Sequence, residues 1–561
     1  FIIGVWVIFK NKKINKILNS KVSKLSKIDY IIIGIIILLY SILSFINLGS
    51  FNNPQTFYKL NDNQEVVFEF ANETDVIRIK TFCGEQRSEN YLYYSYDNKE
   101  YNFLGIITPK GEFAWNDDRY PTKAKYIKLV AKNKSSIGEI SFYDNYKKQI
   151  KIKSVSTNNK NIKELTDEQN LIPEQISYLN SSYFDEIYFA RTAYNYLNNE
   201  ETYEWTHPPL GKMIQAIPVI LFNKMAPFYY RLMGNIAGII MIFIMYLLGI
   251  ELFKKRKWAI VSSLLMFFET SHFVQTRMGT VDSFLILFIM LAIYFMIRHI
   301  TKKETKYNLF LSGLFFGLSM CVKWTGALGG LALAIIYFYD FIKNKRNIKK
   351  TLSYGTIYFV IIPLIIYTSI YFIYPKNRVA YTDSYKAIID QTEMMYNYHS
   401  KLTDDHFFSS DWYTWPISYK PVWYYEQEYS YVTKGTITAI GNIAIWWLGI
   451  IAVLYLPYRI IKKKELESII LLITVLSLWL PYIFIGRVMF LYHYFPVVPF
   501  ITLAVVKLLK DIEEKTKKTF IVPIYLTIVI GFFIIYYPVI SGIPVSKHYI
   551  DSLKLLESWY F

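Results

Sequence analysis

The stretch "YEWTHPPLGKMIQ" (residues 203–215) places two consecutive prolines between a polar run and an apolar run. Consecutive prolines fix φ and remove two N–H donors, so the sequence predicts a rigid bend here and not a helix interior. Just upstream, "YFDEIYFARTAYNYL" (residues 183–197) carries the adjacent acids Asp185 and Glu186 among aromatic residues. A carboxylate pair beside a stiff turn, in a chain this apolar, indicates a functional segment.

The composition indicates a membrane protein. Of the 561 residues, 53% are hydrophobic and 18% aromatic, which is too apolar for an ordinary soluble chain of this length. The net charge of +18 alone would suggest nucleic acid, but the lysines fall in short clusters between apolar runs, where the positive-inside rule places them. We therefore expect a lipid environment and no nucleic-acid partner. Cys83 and Cys321 are too few for a disulfide framework or a thiolate metal site, and no metal ligands are predicted.

Hydropathy predicts about eleven membrane spans. Their approximate limits are 29–48, 229–252, 258–272, 281–299, 307–321, 325–342, 352–374, 437–459, 467–485, 488–508 and 519–540. The lysine clusters lie at Lys10 to Lys27, Lys254 to Lys257, Lys302 to Lys306, Lys343 to Lys350, Lys462 to Lys464 and Lys510 to Lys518. With eleven spans all six clusters fall on one face, which we assign to the cytoplasm.

The pattern divides the chain into five regions. Residues 1–48 are expected to hold the tail of a helix whose start is missing, a basic cytoplasmic stretch and the first transmembrane helix. The remaining regions are an extracytoplasmic β-sandwich (49–158), a linker with membrane-surface helices (159–228), a polytopic domain with a large outer loop at 375–436 (229–540), and an extracytoplasmic tail (541–561). The sandwich is predicted because segments such as "EVVFEF" and "KYIKLVA" alternate with period two between turn signals.

The ionisable residues near the outer ends of the spans indicate a site. They are Asp185, Glu186, His207, Arg277, Asp282, Lys323, His406, Asp411, Arg487 and His493. Taken singly, Arg487 is explained by snorkelling to headgroups, His493 by helix packing, and Lys323 with Trp324 by an interfacial anchor. Their shared position favours a functional cavity, because charged groups at membrane depth are costly.

The kind of chemistry is bounded by what the sequence holds. There is no phosphate-binding lysine loop, no HExxH and no CxxC. Outside the cytoplasm, a membrane transferase suits a donor carried on a lipid phosphate. That reaction needs a carboxylate to accept a proton and cations to hold the departing phosphate, and both are present.

In several motifs the sequence resembles the protein O-mannosyltransferases, glycosyltransferase family 39. The resemblance rests on "YFDEIYFARTAYNYL", "HPPLGK", "RMGTVDSFLILF", "SMCVKWTGAL", "HFFSSDWYTWPISYKPVWYY" and "RVMFLYHYFPVVPF", in that order. It covers roughly residues 180–510, plus "LSFINLGSFNNPQT" at the end of the first span. It implies a GT-C fold and inverting transfer of mannose from a polyprenyl-phosphate carrier to Ser or Thr hydroxyls of exported polypeptides. No tightly bound cofactor is implied.

The resemblance also implies roles for residues. Asp185 matches the catalytic base, and we expect Glu186 beside it to position the site by pairing with an arginine. The expected donor-phosphate ligands are Arg231, Lys323, Arg487, Tyr492 and His493. The expected substrate contacts are His207, Arg277, Asp282, Trp324, His406, Trp412 and Trp415.

Three departures from the family pattern stand out. The first span, "YSILSFINLG", lacks the arginine that members often carry there. The outer loop at 375–436 has no room for the domain that eukaryotic members insert, so a bacterial form is expected. The inserted segment resembles a discoidin-like sandwich, which would bind a glycan or an acceptor, or serve only as a structural lid.

Two other functions remain open. One is a related GT-C enzyme that moves another lipid-linked sugar to a cell-wall polymer or a lipid. The other is a transporter or flippase, which one-sided polar residues disfavour because transporters place their sites near the midplane of repeated halves. Assembly as a dimer, or with the secretion machinery, is also left open.

Overall fold

The computed structural model describes residues 17–22, 24–158, 160–301, 306–373, 384–402 and 406–561. The chain divides into two compact units. The first, here called the membrane unit, comprises residues 1–46, 205–214 and 234–561, and the second, the sheet unit, comprises residues 47–204 and 215–233. The expected N-terminal helix tail, most of the first lysine cluster, Lys302 and Lys303, and part of the loop 375–436 lie outside the described residues.

The helices follow the apolar runs of the sequence. They are α1 (Lys27–Phe45), α2 (Glu186–Leu197), α3 (Leu210–Phe222), α4 (Pro227–Phe253), α5 (Arg256–Phe267), α6 (Thr270–Arg277), α7 (Asp282–Thr301), α8 (Lys306–Val322), α9 (Gly326–Lys343), α10 (Ile348–Thr356), α11 (Ile362–Ile373), α12 (Ser384–Lys401), α13 (Ile443–Lys463), α14 (Leu466–Trp479), α15 (Val498–Thr516), α16 (Ile521–Ser541) and α17 (Lys547–Ser552). One π turn, Ile357–Ile361, joins α10 to α11.

Among the described residues, eight helices are long and apolar enough to cross a membrane, so the chain is a multi-pass membrane protein. The other three predicted spans also carry helices, but in altered form. The span at 258–272 is two short helices, α5 and α6, and the 17 residues of α8 lie just below the usual spanning length. The span at 488–508 begins late, because Leu491–Val497 forms a 3₁₀ helix and α15 starts only at Val498.

Ion pairs tie four of the predicted cytoplasmic clusters into one end of the membrane unit. The Arg256 guanidinium lies 2.6 Å from the Asp29 carboxylate, at the start of α1. Lys255 lies 2.8 Å from Glu514 on α15. Near the loop after α13, Glu465 accepts from Lys507 at 2.8 Å. These contacts place the four clusters together, as the shared-face prediction requires. Further ion pairs at this end include Lys257–Glu513, Arg459–Asp511, Arg459–Glu465 and Lys507–Asp511.

The sheet unit contains eight antiparallel strands. They are β1 (Tyr58–Leu60), β2 (Glu65–Cys83), β3 (Asn90–Ser95), β4 (Asn102–Ile107), β5 (Ala114–Ala131), β6 (Ser135–Tyr143), β7 (Ile152–Thr157) and β8 (Lys160–Asn161). The order is β1-β6-β2-β5-β3-β4, and β7 pairs with both β2 and β8. Buried residues from all but β8 pack in one cluster, so the sheet curls around its own core. The all-β segment extends past the predicted limit of 158, and its discoidin-like character stays a prediction.

A second, three-stranded sheet in the membrane unit was not predicted. It comprises β9 (Val422–Glu428), β10 (Thr433–Ala439) and β11 (Val545–Ser546), in the order β11-β10-β9. The predicted span at 437–459 therefore begins too early, since Thr438 and Ala439 still pair with β9 and the helix starts at Ile443. The sheet joins the predicted outer loop to the C-terminal tail.

Candidate active site

The stretch at residues 203–215, here called the proline bend, packs against two helix ends that bear charge. A Cβ atom on Gly211 would lie 2.8 Å from Cβ of Val281 and 3.0 Å from Cγ1 of Val322. Only glycine allows so close an approach without movement of the neighbours. Val281 immediately precedes Asp282, and Val322 immediately precedes Lys323. The bend is thus held beside two of the predicted site residues.

Lys323 and Asp282 form an ion pair. The Lys323 ammonium lies 2.9 Å from each Asp282 carboxylate oxygen, and the side chains are only 15% and 18% exposed. The lysine comes from the turn after α8, whereas the aspartate opens α7. An ammonium has three N–H donors, so the pairing leaves one for another acceptor. Asp282 thereby orients Lys323 and does not neutralise its capacity to donate.

Arg487 meets a histidine that the sequence reading missed. Nη1 of Arg487 donates to Nδ1 of His399, on α12. Nε2 of the same imidazole donates to the backbone carbonyl of Thr206 at 2.8 Å, within the proline bend. The rings of His207 and His399 lie 5.7 Å apart, edge to face. His399 had no motif to mark it, because it sits in a polar helix that reads as a solvated loop.

His493 lies in an aromatic stack beside Arg487. Its ring is 4.7 Å from that of Tyr492 and 6.0 Å from that of Trp415, nearly parallel to both. Nδ1 lies 3.1 Å from the Phe490 N–H and 3.0 Å from the Phe490 carbonyl oxygen, so the backbone of Phe490 binds this nitrogen in either neutral tautomer. Burial, and then the cations Arg487 and Lys323, lower the pKa of His493 to about 3. The ring is therefore neutral at ordinary pH.

These side chains form one charged group, here called the basic cluster: Asp282, Lys323, His399, Arg487 and His493. Burial, and then the nearby His207, Arg487 and Lys323, lower the pKa of His399 to about 4, against the opposing effect of the hydrogen bond to Thr206. With both histidines neutral, two cations face one carboxylate, and the cluster carries a net charge of about +1. That balance suits a phosphodiester, which carries a single negative charge. Four of the five members were predicted from the sequence.

The carboxylate pair lies in the sheet unit, at the start of α2. Asp185 occupies the N-cap position and is half-buried, as the sequence predicted. The dipole at a helix N-terminus favours its anionic form. The preceding residue, Phe184, has φ of 49°, a left-handed conformation that a bulky side chain adopts at a cost of about 1–3 kcal/mol. Such strain is common where a side chain must be aimed. The neighbouring Glu186 is fully buried and points elsewhere.

Glu186 pairs with Arg231, which corrects the predicted role of the arginine. Nε and Nη2 of Arg231 each lie 2.7 Å from a Glu186 carboxylate oxygen. The remaining N–H groups donate to the carbonyls of Leu48, Tyr178 and Ser181 at 2.8–3.0 Å. All five guanidinium donors are therefore used, at 1% exposure. Arg231 was predicted to hold the donor phosphate, but no donor is left for it.

Arg277 also has a structural role, and its predicted contact with substrate stays a prediction. It is buried, donates at 3.1 Å to the Ser44 carbonyl and at 2.6 Å to the Ile46 carbonyl, and lies over the Phe273 ring. These carbonyls end α1, where a cation stabilises the unpaired acceptors and the negative pole of the helix. The first span lacks its own arginine, and Arg277 serves its C-terminal end.

The predicted aromatic contacts divide. Trp415 is fully buried, and its indole N–H donates to the Ser410 carbonyl and hydroxyl, so it cannot stack on a substrate as predicted. Trp324 donates to the Tyr367 hydroxyl at 3.2 Å and lies near His399. Trp412 is half-buried against Trp479, whereas His406 is exposed. Their substrate contacts stay predictions.

Three acids in the described sheet unit have carboxylate oxygens within 4.8 Å of one another: Glu139, Asp167 and Glu168. Burial raises the pKa of Glu139 to about 7. The Glu168 carboxylate already accepts the backbone N–H groups of Gln55 and Thr56 at 2.7 and 3.0 Å. These bonds fasten the linker to the sheet and explain the cluster without a cation.

Two family descriptions match separate parts of the chain. Residues 206–371 match "Dolichyl-phosphate-mannose-protein mannosyltransferase", and residues 384–559 match the "C-terminal four TMM region of protein-O-mannosyltransferase". Over these two segments the chain is similar to the protein O-mannosyltransferases. The matches begin at the proline bend and include every member of the basic cluster, so the cluster lies in the part of the chain that defines the family.

Individual relatives agree. The chain is 24% identical over 450 residues to a polyprenol-phosphate-mannose–protein mannosyltransferase of Mycolicibacterium smegmatis, which covers 67% of this chain and 87% of that relative. A protein of the same name from Mycobacterium tuberculosis is 22% identical over 454 residues, covering 67% and 86%. Among solved structures, the S. cerevisiae Pmt1-Pmt2 complex bound to the sugar donor matches with a TM-score of 0.59 and 14% identity, over 68% of this chain and 89% of that chain. The predicted GT-C fold and the predicted class, a protein mannosyltransferase, are confirmed.

Proposed function

We propose that this protein transfers mannose from a polyprenyl phosphate to Ser or Thr hydroxyls of exported polypeptides, on the extracytoplasmic side of the membrane. The observation that carries the proposal is the basic cluster. It offers Lys323 and Arg487 as cations and His493 as a neutral imidazole, in a partly buried setting and within the segments that match the family. The names of the bacterial relatives support mannose as the sugar and protein as the acceptor.

In the proposed reaction the acceptor hydroxyl attacks C1 of the mannose. Its proton passes to the Asp185 carboxylate, the C1–O bond to the phosphate breaks, and the configuration at C1 inverts. The leaving group is the polyprenyl phosphate, whose second negative charge develops as the bond breaks. Lys323 and Arg487 stabilise that charge in a site of low dielectric, where preorganised donors act most strongly. Each proton and each electron pair is thereby assigned.

The role of Glu186 is to hold the start of α2. It receives two of the five hydrogen bonds from Arg231, and the same guanidinium binds the carbonyls of Leu48, Tyr178 and Ser181. Four chain segments of the sheet unit thus meet at one buried ion pair, directly beside Asp185. We assign the pair to positioning: it fixes the backbone of the strained turn on which the base sits.

Purified protein in liposomes tests the proposal. Polyprenyl-phosphate mannose and a Ser/Thr-rich peptide should give a mannosylated peptide, whereas a peptide with Ala at those positions should not. The same liposomes with another polyprenyl-phosphate sugar, or with a lipid acceptor, test the related GT-C transferase. Transfer only to lipid or polymer, or only from another sugar, would replace the proposal with that alternative.

A further inference from the structure

His399 joins three segments of the membrane unit that are far apart in the chain. It lies on α12, it donates to Thr206 in the proline bend, and it accepts from Arg487 in the loop after α14. The bend itself is packed on the turn that bears Lys323. One imidazole therefore connects the outer-loop helix to two of the segments that supply the basic cluster.

The hydrogen bonds fix the state of the ring. A carbonyl oxygen only accepts, so Nε2 of His399 must carry a proton toward Thr206. A guanidinium only donates, so Nδ1 must be bare toward Arg487. Both conditions hold only for the neutral Nε2–H tautomer. The ring therefore presents an acceptor that orients the guanidinium without cancelling its charge, which a carboxylate at this position would do.

We infer that His399 is a positioning residue for the donor: it holds Arg487 in the orientation that binds the lipid-linked phosphate, and it anchors this orientation to the proline bend. The inference rests on the proposed function and deepens it. On this inference α12 contributes to the phosphate site, although hydropathy alone assigns its residues to a loop. Arg487 touches the phosphate, and His399 acts through Arg487.

The surroundings of His399 are consistent with this role. The charged and titratable groups that face it are Arg487, Lys323 and His207. Gln391, two turns earlier on α12, donates to the carbonyls of Trp205 and His207 at 3.2 and 3.4 Å, so the helix grips the bend at a second point. Rotation of the ring away from Arg487 would break the Thr206 bond as well.

Two substitutions separate the two hydrogen bonds of the ring. In His399→Asn, the side-chain oxygen lies near the position of Nδ1 and can still accept from Arg487. In His399→Gln, the longer amide can reach Thr206 but leaves no acceptor in the position of Nδ1. His399→Ala removes both bonds, and Glu393→Ala, an exposed change on the same helix, is the matched control.

The probe is farnesyl phosphate, a short polyprenyl phosphate, whose binding to the purified full chain is measured by titration calorimetry. We expect His399→Ala to weaken binding about tenfold, a coupling typical of residues in contact. His399→Gln should resemble it, His399→Asn should recover most of the affinity, and Glu393→Ala should match the wild type. In an Arg487→Ala background, His399→Ala should cost at most about twofold more, because a residue that acts through Arg487 has nothing left to orient.

Two results would overturn the inference: wild-type affinity in His399→Ala, or full and independent losses in the double variant. The proposed function is scored separately by mannose transfer. A wild-type protein that binds the probe with the expected coupling but transfers no mannose contradicts the proposed function and supports the positioning role. A wild-type protein that transfers mannose while His399→Ala keeps the donor KM contradicts only the inference.

Discussion

Replacing Arg231 should damage the fold and not the affinity for the donor. Arg231→Met removes a guanidinium that is 1% exposed and uses all five of its donors. Breaking a buried ion pair by removing one partner costs about 3–5 kcal/mol. Each of the three carbonyls that lose a donor adds about 1–3 kcal/mol. The sum approaches the total stability of an ordinary domain, about 5–15 kcal/mol.

The double variant Arg231→Met/Glu186→Leu gives the sharper comparison. It removes both charges, leaves the three carbonyls short of a donor and leaves the Tyr183 N–H short of an acceptor. Because no buried charge is left unpaired, it should still unfold at a higher temperature than Arg231→Met alone. Arg78→Ala is the matched control in the same unit, because its pair with Asp117 is 41% exposed on the arginine side and should be worth at most about 1 kcal/mol. The assay is thermal unfolding of the detergent-solubilised protein. An Arg231→Met protein that melts like the wild type but has a raised donor KM would show that Arg231 binds the donor phosphate and does not stabilise the fold.

Three further predictions concern the bend, the histidines and the sheet. Gly211→Ala should lower the melting temperature and the donor affinity together, because overpacking against Val281 and Val322 costs about 1–3 kcal/mol. Gly34→Ala, with open space around its Cβ, is the control and should be neutral. Equal behaviour of the two variants would show that the bend is not packed against these valines. The folded pKa values of His399 and His493, about 4 and 3, lie below the unfolded value of about 6.5, so their contribution to stability is present above pH 6.5 and is lost as the pH falls toward 4 and 3. Unfolding followed against pH should show this loss, and His399→Asn should reduce it to the part due to His493. An unchanged slope in that variant would count against the assignment. If the sheet only recruits acceptors, removing residues 55–148 should raise KM for protein acceptors and spare transfer to a short peptide, and loss of both in a folded protein would mean that the sheet belongs to the active site.

Hydropathy located helices well because lipid-facing and core-facing residues are both apolar. It failed where backbone pairing or proline intervened. Thr438 and Ala439 read as the start of a span, yet they complete a strand against β9. Leu491–Val497 was included in a predicted span, but Pro496 lies within it and the segment winds as a 3₁₀ helix.

The site was predictable where residues lie in long motifs, as for Asp282, Lys323, Arg487 and His493. It was not predictable where the partners are backbone atoms far away in the chain. No sequence pattern shows that Arg231 donates hydrogen bonds to three distant carbonyls, or that Arg277 caps α1. His399 escaped notice for the same reason, since its partners are a carbonyl and an arginine from other segments.

Turnover of Asp185→Asn separates general-base catalysis by the carboxylate from binding of the donor. The substitution keeps the size of the side chain and removes the basic carboxylate, and general-base catalysis contributes on the order of 10²–10⁴ in rate. With purified protein, polyprenyl-phosphate mannose and a Ser/Thr-rich peptide, single-turnover transfer should therefore fall by about that factor, while farnesyl phosphate binding stays within about twofold of the wild type. Near-native turnover in Asp185→Asn would show that Asp185 is not the general base.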